Sequence, residues 1–338
     1  MKKRLEKLHA EVSDLQNCLI LVHNNPDPDA IASAVALRFL LQQLLGLETK
    51  IAYQGIIGRA ENKTLVRYLE NPLKRLSRLK SDKTTQYALV DTQPGAGNNP
   101  LPPTDHLVIV FDHHPLREMT KTARFADVRP EVGATSSILT GYLKATGCDI
   151  PPPLATALFY GIKTDTMGLG RGTHQLDMMA ICYLLPRIDP EALFQIEHAQ
   201  VPVSYFRRLG EAFNNTWLYD HVIISFLGEM DYPDLTAETA DMFLRVKGSR
   251  WVICMGSYQD EFILSIRTHN KRGAGVLAQQ LVGSKGVAGG HSSMAGGLIP
   301  LNSDSPAELA KQITAQTLSH LKVQPDVEGK VLTELAAK

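Results

Sequence analysis

The run His23-Asn-Asn-Pro-Asp27-Pro-Asp29 places an imidazole and two carboxylates in one short loop, just ahead of an apolar, helical stretch. Asp91 ends the β-rich run Tyr87–Val90, and Asp112-His113-His114 ends a second such run, Leu107–Phe111. A further acid, Asp165, sits in Gly161-Ile-Lys-Thr164-Asp165-Thr166. Brought together, Asp27, Asp29, Asp91 and Asp165 would repel and raise one another's pKa values. Two divalent cations would cancel that charge, and oxygen ligands with a minority of imidazoles suit Mn²⁺ or Mg²⁺ better than a thiolate-type zinc site. Cations about 3.5–4 Å apart can clamp the attacking and leaving oxygens of a phosphoryl group. The expected chemistry is in-line attack of a metal-bridging hydroxide on phosphorus. Taken singly, each residue has a plainer explanation: Asp29 as the cap of the helix opening at Ala30, a strand-end Asp as a turn residue, His113-His114 as a packed pair. The joint occurrence, in this order, carries the metal reading.

These side chains need elements to position them. Strand-like runs at Leu19–Val22, Lys50–Tyr53, Tyr87–Val90 and Leu107–Phe111 alternate with or precede helical patterns at Ala30–Leu45, Asn62–Leu69, Thr135–Ala145, Leu154–Lys163 and His174–Leu185. That predicts an α/β fold with a mostly parallel, doubly wound sheet and helices on both faces. Ligands bind such sheets at the carboxyl ends of the strands, where the acids and histidines stand. Residues 190–215 look helical with a break at Pro202, and form the expected linker. Beyond it come strands at Val222–Leu227, Trp251–Ser257 and Phe262–Arg267, a helix at Gly275–Leu281, a glycine-rich turn at Gly283–Gly297 leading into Leu298–Leu301, and a helix at Pro306–Leu321. The expected organisation is a domain over 1–189, a linker over 190–215, a smaller α/β domain over 216–325 and a tail over 326–338.

A chain of 338 residues suits two domains, each with its own core. Its 35 basic residues balance 35 acidic ones. Without a basic excess, a long duplex or other long polynucleotide is not an expected partner, whereas a small anionic substrate is. The four cysteines form no C-x-x-C pair, which fits reduced thiols in the cytoplasm. The N-terminus starts basic but builds no apolar h-region, and Cys18–Val22 is too short to span a bilayer, so no membrane association is expected. A homodimer is compatible with all of this.

On these motifs the chain resembles the DHH phosphoesterase superfamily, which includes RecJ-like exonucleases, nanoRNases, cyclic-dinucleotide phosphodiesterases and family II inorganic pyrophosphatases. The matching segments are His23-Asn-Asn-Pro-Asp27-Pro-Asp29-Ala-Ile-Ala-Ser33, Val90-Asp91-Thr92, Asp112-His113-His114-Pro115 and Gly161-Ile-Lys-Thr164-Asp165-Thr166. The resemblance implies one metal, most often Mn²⁺, on His23, Asp27 and Asp91, and a second on Asp29, Asp91, His113 and Asp165, with Asp91 bridging. His114 would face the substrate phosphate, and Asp112 would orient His113 or its neighbours.

The second half resembles the DHH-associated substrate-binding domain, with the active site in the cleft between the two. Its Gly-Gly-His signature appears as Ala288-Gly289-Gly290-His291, and Ser265-Ile-Arg267 matches a strand bearing a phosphate-gripping arginine. Arg171, near the fourth motif, is a further candidate for phosphate contact. The layout is most similar to nanoRNases, so very short single-stranded RNA, linear dinucleotides or nucleotide bisphosphates are the expected substrates. Hydrolysis of pyrophosphate or polyphosphate, and a non-catalytic nucleotide sensor, are the alternatives. Two departures stand out: Val287 and Ala288 interrupt the glycine run, and Leu169 stands where relatives often place an aromatic. Of the other residues that invite attention, His198 and His221 read as surface or packing groups, His269 as a neighbour of Arg267 on one strand face, and Lys74–Lys83 as a solvated helix face.

Overall fold

The computed structural model describes residues 1–79, 84–270, 273–290, 293–302, 304–324 and 326–334. The chain divides between Gln200 and Val201 into two units. In the first, α1 (Lys2–Val12), β1 (Cys18–Val22), α2 (Pro28–Leu45), β2 (Lys50–Tyr53), α3 (Ala60–Tyr68), β3 (Leu73–Arg75), β4 (Gln86–Val90), β5 (Leu107–Asp112) and β6 (Phe125–Val128) precede α4 (Thr135–Thr146), α5 (Pro152–Asp165), α6 (Gln175–Leu184) and α7 (Pro190–Glu197). Its sheet is parallel throughout, in the order β3-β2-β1-β4-β5-β6. This is the doubly wound order, and it reverses direction between β1 and β4.

The strands are apolar because both their faces are covered. On β1, Cys18, Ile20 and Val22 join the larger core with residues from α1 to α7, while Leu19 and Leu21 join a smaller cluster on the other face. That second face departs from the expectation of helices on both sides. Among the described residues it is covered by the turn Leu76–Arg78 and by loop residues such as Leu101 and Ala123, because the β4–β5 and β5–β6 connections form no α-helix. The stretch expected as a solvated helix face is in fact β3 and that 3₁₀ turn, with residues 80–83 outside the described set. Neither β3 nor β6 stood out in the sequence. β3 is three residues long with two charges, and β6 carries a buried acid, Asp127, held by Arg4, Arg129 and the Tyr142 hydroxyl.

Asp27, rather than Asp29, caps α2: its carboxylate accepts the Ala30 N–H at 3.0 Å, and Pro28 occupies the first turn, where its missing N–H costs nothing. The helix closes on Gly46 at φ +66°, a left-handed C-cap.

The expected helical linker is divided. Its α7 half packs on α3 and α5 of the first unit, whereas α8 (Val203–Asn214) begins after Pro202 and belongs to the second. The second unit continues with β7 (Thr216–Tyr219), β8 (Val222–Glu229), α9 (Leu235–Phe243), β9 (Trp251–Tyr258), β10 (Glu261–Thr268), α10 (Ala274–Val282), β11 (Val287–Gly290), β12 (Met294–Pro300), α11 (Pro306–His320) and β13 (Lys330–Val331). Its sheet runs β11-β12-β10-β9-β8-β7-β13 and is antiparallel except for β8 beside β9. Helices α10 and α11 pack on one face and α9 on the other. The glycine-rich segment expected as a turn is largely strand, β11 paired with β12, since glycines can still supply ladder hydrogen bonds. Within the expected tail, β13 extends the sheet by pairing with β7. No described helix is long and apolar enough to cross a membrane.

Candidate metal centre

The loops that leave β1 and β4 carry His23 with Asp27 and Asp91, respectively, while Asp112 ends β5 and His113 and His114 open the loop after it. Because β4 lies between β1 and β5, these loops are neighbours at the carboxyl edge of the sheet, beside the switch point. Asp91 departs from β4 at φ +59°, a left-handed conformation uncommon for a residue with a side chain, and its N–H is anchored on the Phe111 carbonyl at 2.9 Å. Backbone strain of this kind is concentrated at functional sites. Asp165 arrives from the last turn of α5. That helix approaches α2 closely at Gly161, where a Cβ would lie 2.8 Å from Ser136 Oγ and 3.1 Å from the Asp29 Cα.

Both histidines that face the acids are oriented from behind. His23 donates its Nδ1–H to the Asn24 carbonyl at 2.9 Å, which turns Nε2 toward Asp27 Oδ1 at 3.6 Å and Asp91 Oδ2 at 3.5 Å. His113 places Nδ1 3.2 Å from the Val132 carbonyl and Nε2 3.5 Å from Asp91 Oδ1 and 3.3 Å from Asp165 Oδ2. A backbone carbonyl on one ring nitrogen is the usual arrangement behind a metal-ligating imidazole. The two oxygens of Asp91 therefore face different imidazoles. Potential ligand atoms converge within 4.8 Å in the sets His23–Asp27–Asp91, Asp29–His113–Asp165 and Asp91–His113–His114. The chemistry of the donor set, carboxylate-rich with imidazole Nε2 atoms, fits a hard or borderline divalent cation.

Asp29 has a second attachment that its sequence position did not reveal. Its oxygens accept the N–H groups of Thr135 at 2.7 Å and Ser136 at 2.8 Å, the opening of α4, and Ser33 Oγ stands 3.3 Å away. Thr135 Oγ1 also donates to Asp91 Oδ1 at 2.9 Å. Despite these donors, burial and the nearby Asp91 charge push Asp29 up to about 7, and burial with repulsion from Asp27 pushes Asp165 up to about 6. Burial also raises Asp91, against the pull of His23. For Asp27, burial is outweighed by His23 and the Ala30 N–H, which hold it low. Burial disfavours charge on His23 and His113, yet the surrounding carboxylates hold both well above the ordinary histidine range.

Asp112 contacts His114 rather than the ring of His113. Its Oδ1 lies 2.8 Å from His114 Nδ1 and also accepts the His113 backbone N–H at 2.9 Å. Burial would raise this carboxyl, but the His114 contact brings it down to about 2. Behind it stands Gln93, 1% exposed, whose Nε2 donates to Asp112 Oδ2 at 2.6 Å and to the Pro115 carbonyl at 3.1 Å. Its Oε1 accepts from Arg117 N at 2.8 Å and Thr120 Oγ1 at 2.7 Å. The sequence reading missed Gln93, Thr135 and Ser136. Gln93 stands two residues after Asp91, which was a usable signal. Thr135 and Ser136 open a helix distant in sequence from every motif and gave none.

Arg171 donates to the Asp165 carbonyl at 3.2 Å, so it sits against the last turn of α5, which carries that acid. In the second unit, Ser265 is buried and shares a 2.9 Å hydrogen bond with Thr236, and Arg267 is buried against Asp241. Gly289 pairs across to Gly296 with open space where a Cβ would project; at Gly290, φ +151°, a Cβ would meet the Met294 carbonyl at 2.3 Å. His291 lies outside the described residues. His269 gives its Nε2 to the Leu244 carbonyl at 2.9 Å, a packing role.

Comparison with known proteins bears on the fold and the family. The profile of the DHH family, N-terminal domain, matches residues 17–162. An uncharacterised protein of Methanocaldococcus jannaschii is 34% identical over 341 aligned positions that take in all of this chain and 68% of its own length. A probable manganese-dependent inorganic pyrophosphatase of Streptococcus pyogenes is 27% identical over 154 residues, 45% of this chain and about half (49%) of the relative. Among solved structures, an exopolyphosphatase-related protein from Bacteroides fragilis superposes with a TM-score of 0.72 at 16% identity, covering 95% of this chain and 98% of that one. RecJ from Thermus thermophilus, in complex with Mn²⁺, gives 0.54 at 13% identity over 96% of this chain and 55% of its own.

The raised carboxyls make a prediction about the metal-free protein. In an unfolded chain Asp29 titrates near 4, and in the fold near 7. The fold holds that proton more tightly, so its stabilising effect is complete below about pH 4 and lost as pH rises through about 7. Melting temperatures measured without divalent cation should therefore show Asp29→Asn gaining on the wild type across that interval. A gap independent of pH would contradict the assignment.

Proposed function

The chain belongs to the DHH family, and on that premise we propose that this metal-dependent phosphoesterase hydrolyses phosphate esters of very short oligoribonucleotides, linear dinucleotides or nucleotide bisphosphates. The observation that carries the metal reading is the pair of Asp91 oxygens, one facing His23 and the other His113. We assign one cation, Mn²⁺ with Mg²⁺ as the alternative, to His23, Asp27 and Asp91, and a second to Asp29, Asp91, His113 and Asp165. When bound, such cations neutralise phosphoryl oxygens and lower the pKa of water.

The protein's own groups do the rest. Asp91 joins the two ligand sets, and the opening of α4 holds Asp29 in register with it. His114, with Nδ1 fixed by Asp112 and its ring partly exposed, is placed to meet a substrate phosphate oxygen through Nε2. Gln93 acts through Asp112: by locking that carboxylate it fixes the angle of the His114 ring. Arg267, held by Asp241, and the Gly289–Gly290 strand end are the proposed grip on the rest of the substrate, with His291 and Arg171 as further contacts. The balanced charge of the chain supports a small anion over a long polynucleotide, and four unpaired thiols fit a cytoplasmic setting.

A second reading, pyrophosphate or polyphosphate hydrolysis, draws on the likeness to the probable inorganic pyrophosphatase of Streptococcus pyogenes and to the exopolyphosphatase-related protein of Bacteroides fragilis. A substrate panel with Mn²⁺ separates the two. Di- to pentaribonucleotides, a linear dinucleotide and 3′-phosphoadenosine 5′-phosphate should turn over in preference to pyrophosphate and polyphosphate, and the reverse order would overturn the proposal. Within the same assay, Gln93→Ala should lower kcat by about 10–100-fold, the range typical of supporting residues, with Mn²⁺ affinity little changed. Asp91→Ala should lose more than that. Equal, unaffected rates in both variants would remove the roles given to these residues.

A further inference from the structure

The carbonyl that orients His113 is one half of a peptide group whose other half is also engaged. Val132 O lies 3.2 Å from His113 Nδ1, and the N–H of the same peptide, on Gly133, donates to Asp177 Oδ2 at 2.9 Å. A trans peptide points its C=O and N–H in opposite directions, so imidazole, peptide and carboxylate form one chain of hydrogen bonds. Asp177 lies on α6, 44 residues from Gly133 in sequence, so no local turn imposes the contact. Its side chain is fully buried, and Oδ1 has no hydrogen-bond partner among the described residues, which leaves Oδ2 to carry its hydrogen bonds.

Helix capping accounts for part of this arrangement. Asp177 and His174 form a capping box at the start of α6: Asp177 Oδ2 accepts the His174 N–H at 2.7 Å, and His174 Nδ1 accepts the Leu176 N–H at 3.2 Å. A cap needs only those two bonds and does not explain why the same oxygen also reaches Gly133. The approach is close enough to require glycine there. A Cβ on residue 133 would lie 2.6 Å from Thr166 Cγ2 and 2.9 Å from Asp177 Oδ2. Thr166 directly follows Asp165, and the N–H groups of Thr135 and Ser136, just past Gly133, hold Asp29. The anchored segment therefore bears on His113, on Asp29 and on the turn after Asp165, all three assigned to the second cation.

We propose that Asp177 is a positioning residue that acts on His113 through the Val132–Gly133 peptide, as the outer carboxylate of a three-part relay. The proposal rests on the metal reading given above. A carboxylate behind a metal-ligating imidazole fixes the ring and makes the nitrogen that faces the metal a stronger donor. Here a peptide group stands between the two. Negative charge on its N–H side polarises the peptide and makes the Val132 carbonyl a better acceptor for the His113 Nδ1–H. Hydrogen bonds in such a chain strengthen one another where water is excluded, and His113 is 4% exposed. The relay thus directs Nε2 toward Asp91 and Asp165 and makes its electron pair more available.

The test reads the relay without turnover, by nuclear magnetic resonance of the full-length, metal-free protein and by calorimetric titration with Mn²⁺ alone. Val-Gly pairs occur only at 132–133 and 282–283, so labelling valine carbonyls with ¹³C and glycine with ¹⁵N leaves the Gly133 amide as one of two signals. The His113 Nδ1 proton, seen with ¹⁵N-histidine, is assigned by its loss from His113→Gln. Asp177→Asn keeps an acceptor oxygen and removes the charge; it should move both protons upfield and weaken the second Mn²⁺ ion about tenfold, the lower end of the usual cost of losing such an outer partner. His174→Ala removes the other half of the capping box; it should lower the melting temperature but leave both protons and Mn²⁺ affinity unchanged. Asp177→Ala should exceed Asp177→Asn in each readout, and where it does not fold the other two variants carry the test. A His113 proton unmoved by Asp177→Asn, Mn²⁺ affinity unchanged by it, or equal losses in His174→Ala would each overturn the relay. A wild type that takes up no Mn²⁺ would overturn the metal reading along with it, so the two failures are distinguishable.

Discussion

Four carboxylates and two imidazoles confined to one edge of a sheet make an arrangement that a folded chain cannot hold fully ionised without help. Asp29 and Asp165 are driven upward by burial and by their acidic neighbours, while His23 and His113 are held charged by the same acids. The upward shifts of the two carboxyls favour their neutral form when no cation is bound. A divalent cation held by these residues would offset the negative charge in place of those protons. Much of the surrounding architecture serves to keep the cluster together against its own repulsion: the α4 amides on Asp29, the left-handed Asp91 backbone, and the close approach of α5 to α2 at Gly161.

The order of the sheet explains why these particular residues meet. β1 stands at the reversal point with β4 beside it and β5 next in line, so three neighbouring strand ends deliver their side chains to one place. The histidines gain direction from backbone carbonyls, one from the adjacent residue and one from Val132 nineteen positions on. Gln93 extends the same principle outward, with every hydrogen-bonding capacity of its amide directed to holding Asp112 and the loop after β5. Rigid support of this kind is what lets a site hold its geometry to within fractions of an ångström.

The central strands, the long helices and the six acid and histidine residues that converge were legible in the sequence, because apolar runs ending in Asp or His leave a strong local signal. What was not legible depended on contacts between distant segments. Asp29 read as a helix cap or a ligand; only the fold shows it receiving the N–H groups of Thr135 and Ser136. β6 hides its strand character behind Asp127, whose burial makes sense only once Arg4, Arg129 and Tyr142 surround it. The glycine-rich segment read as a turn because glycine lacks strand propensity, yet β12 supplies a partner that overrides it. The resemblance marked Arg267 for phosphate contact, but its pairing with Asp241 on α9 left no trace in the sequence.

The most direct test of the central claim is a calorimetric Mn²⁺ titration of the metal-free chain, with Asp91→Ala as its partner. Two ions per chain in the wild type, and loss of both in Asp91→Ala, is the predicted result, because one carboxylate faces both imidazoles. A single ion in the wild type, or two retained in the variant, would contradict a centre joined at Asp91.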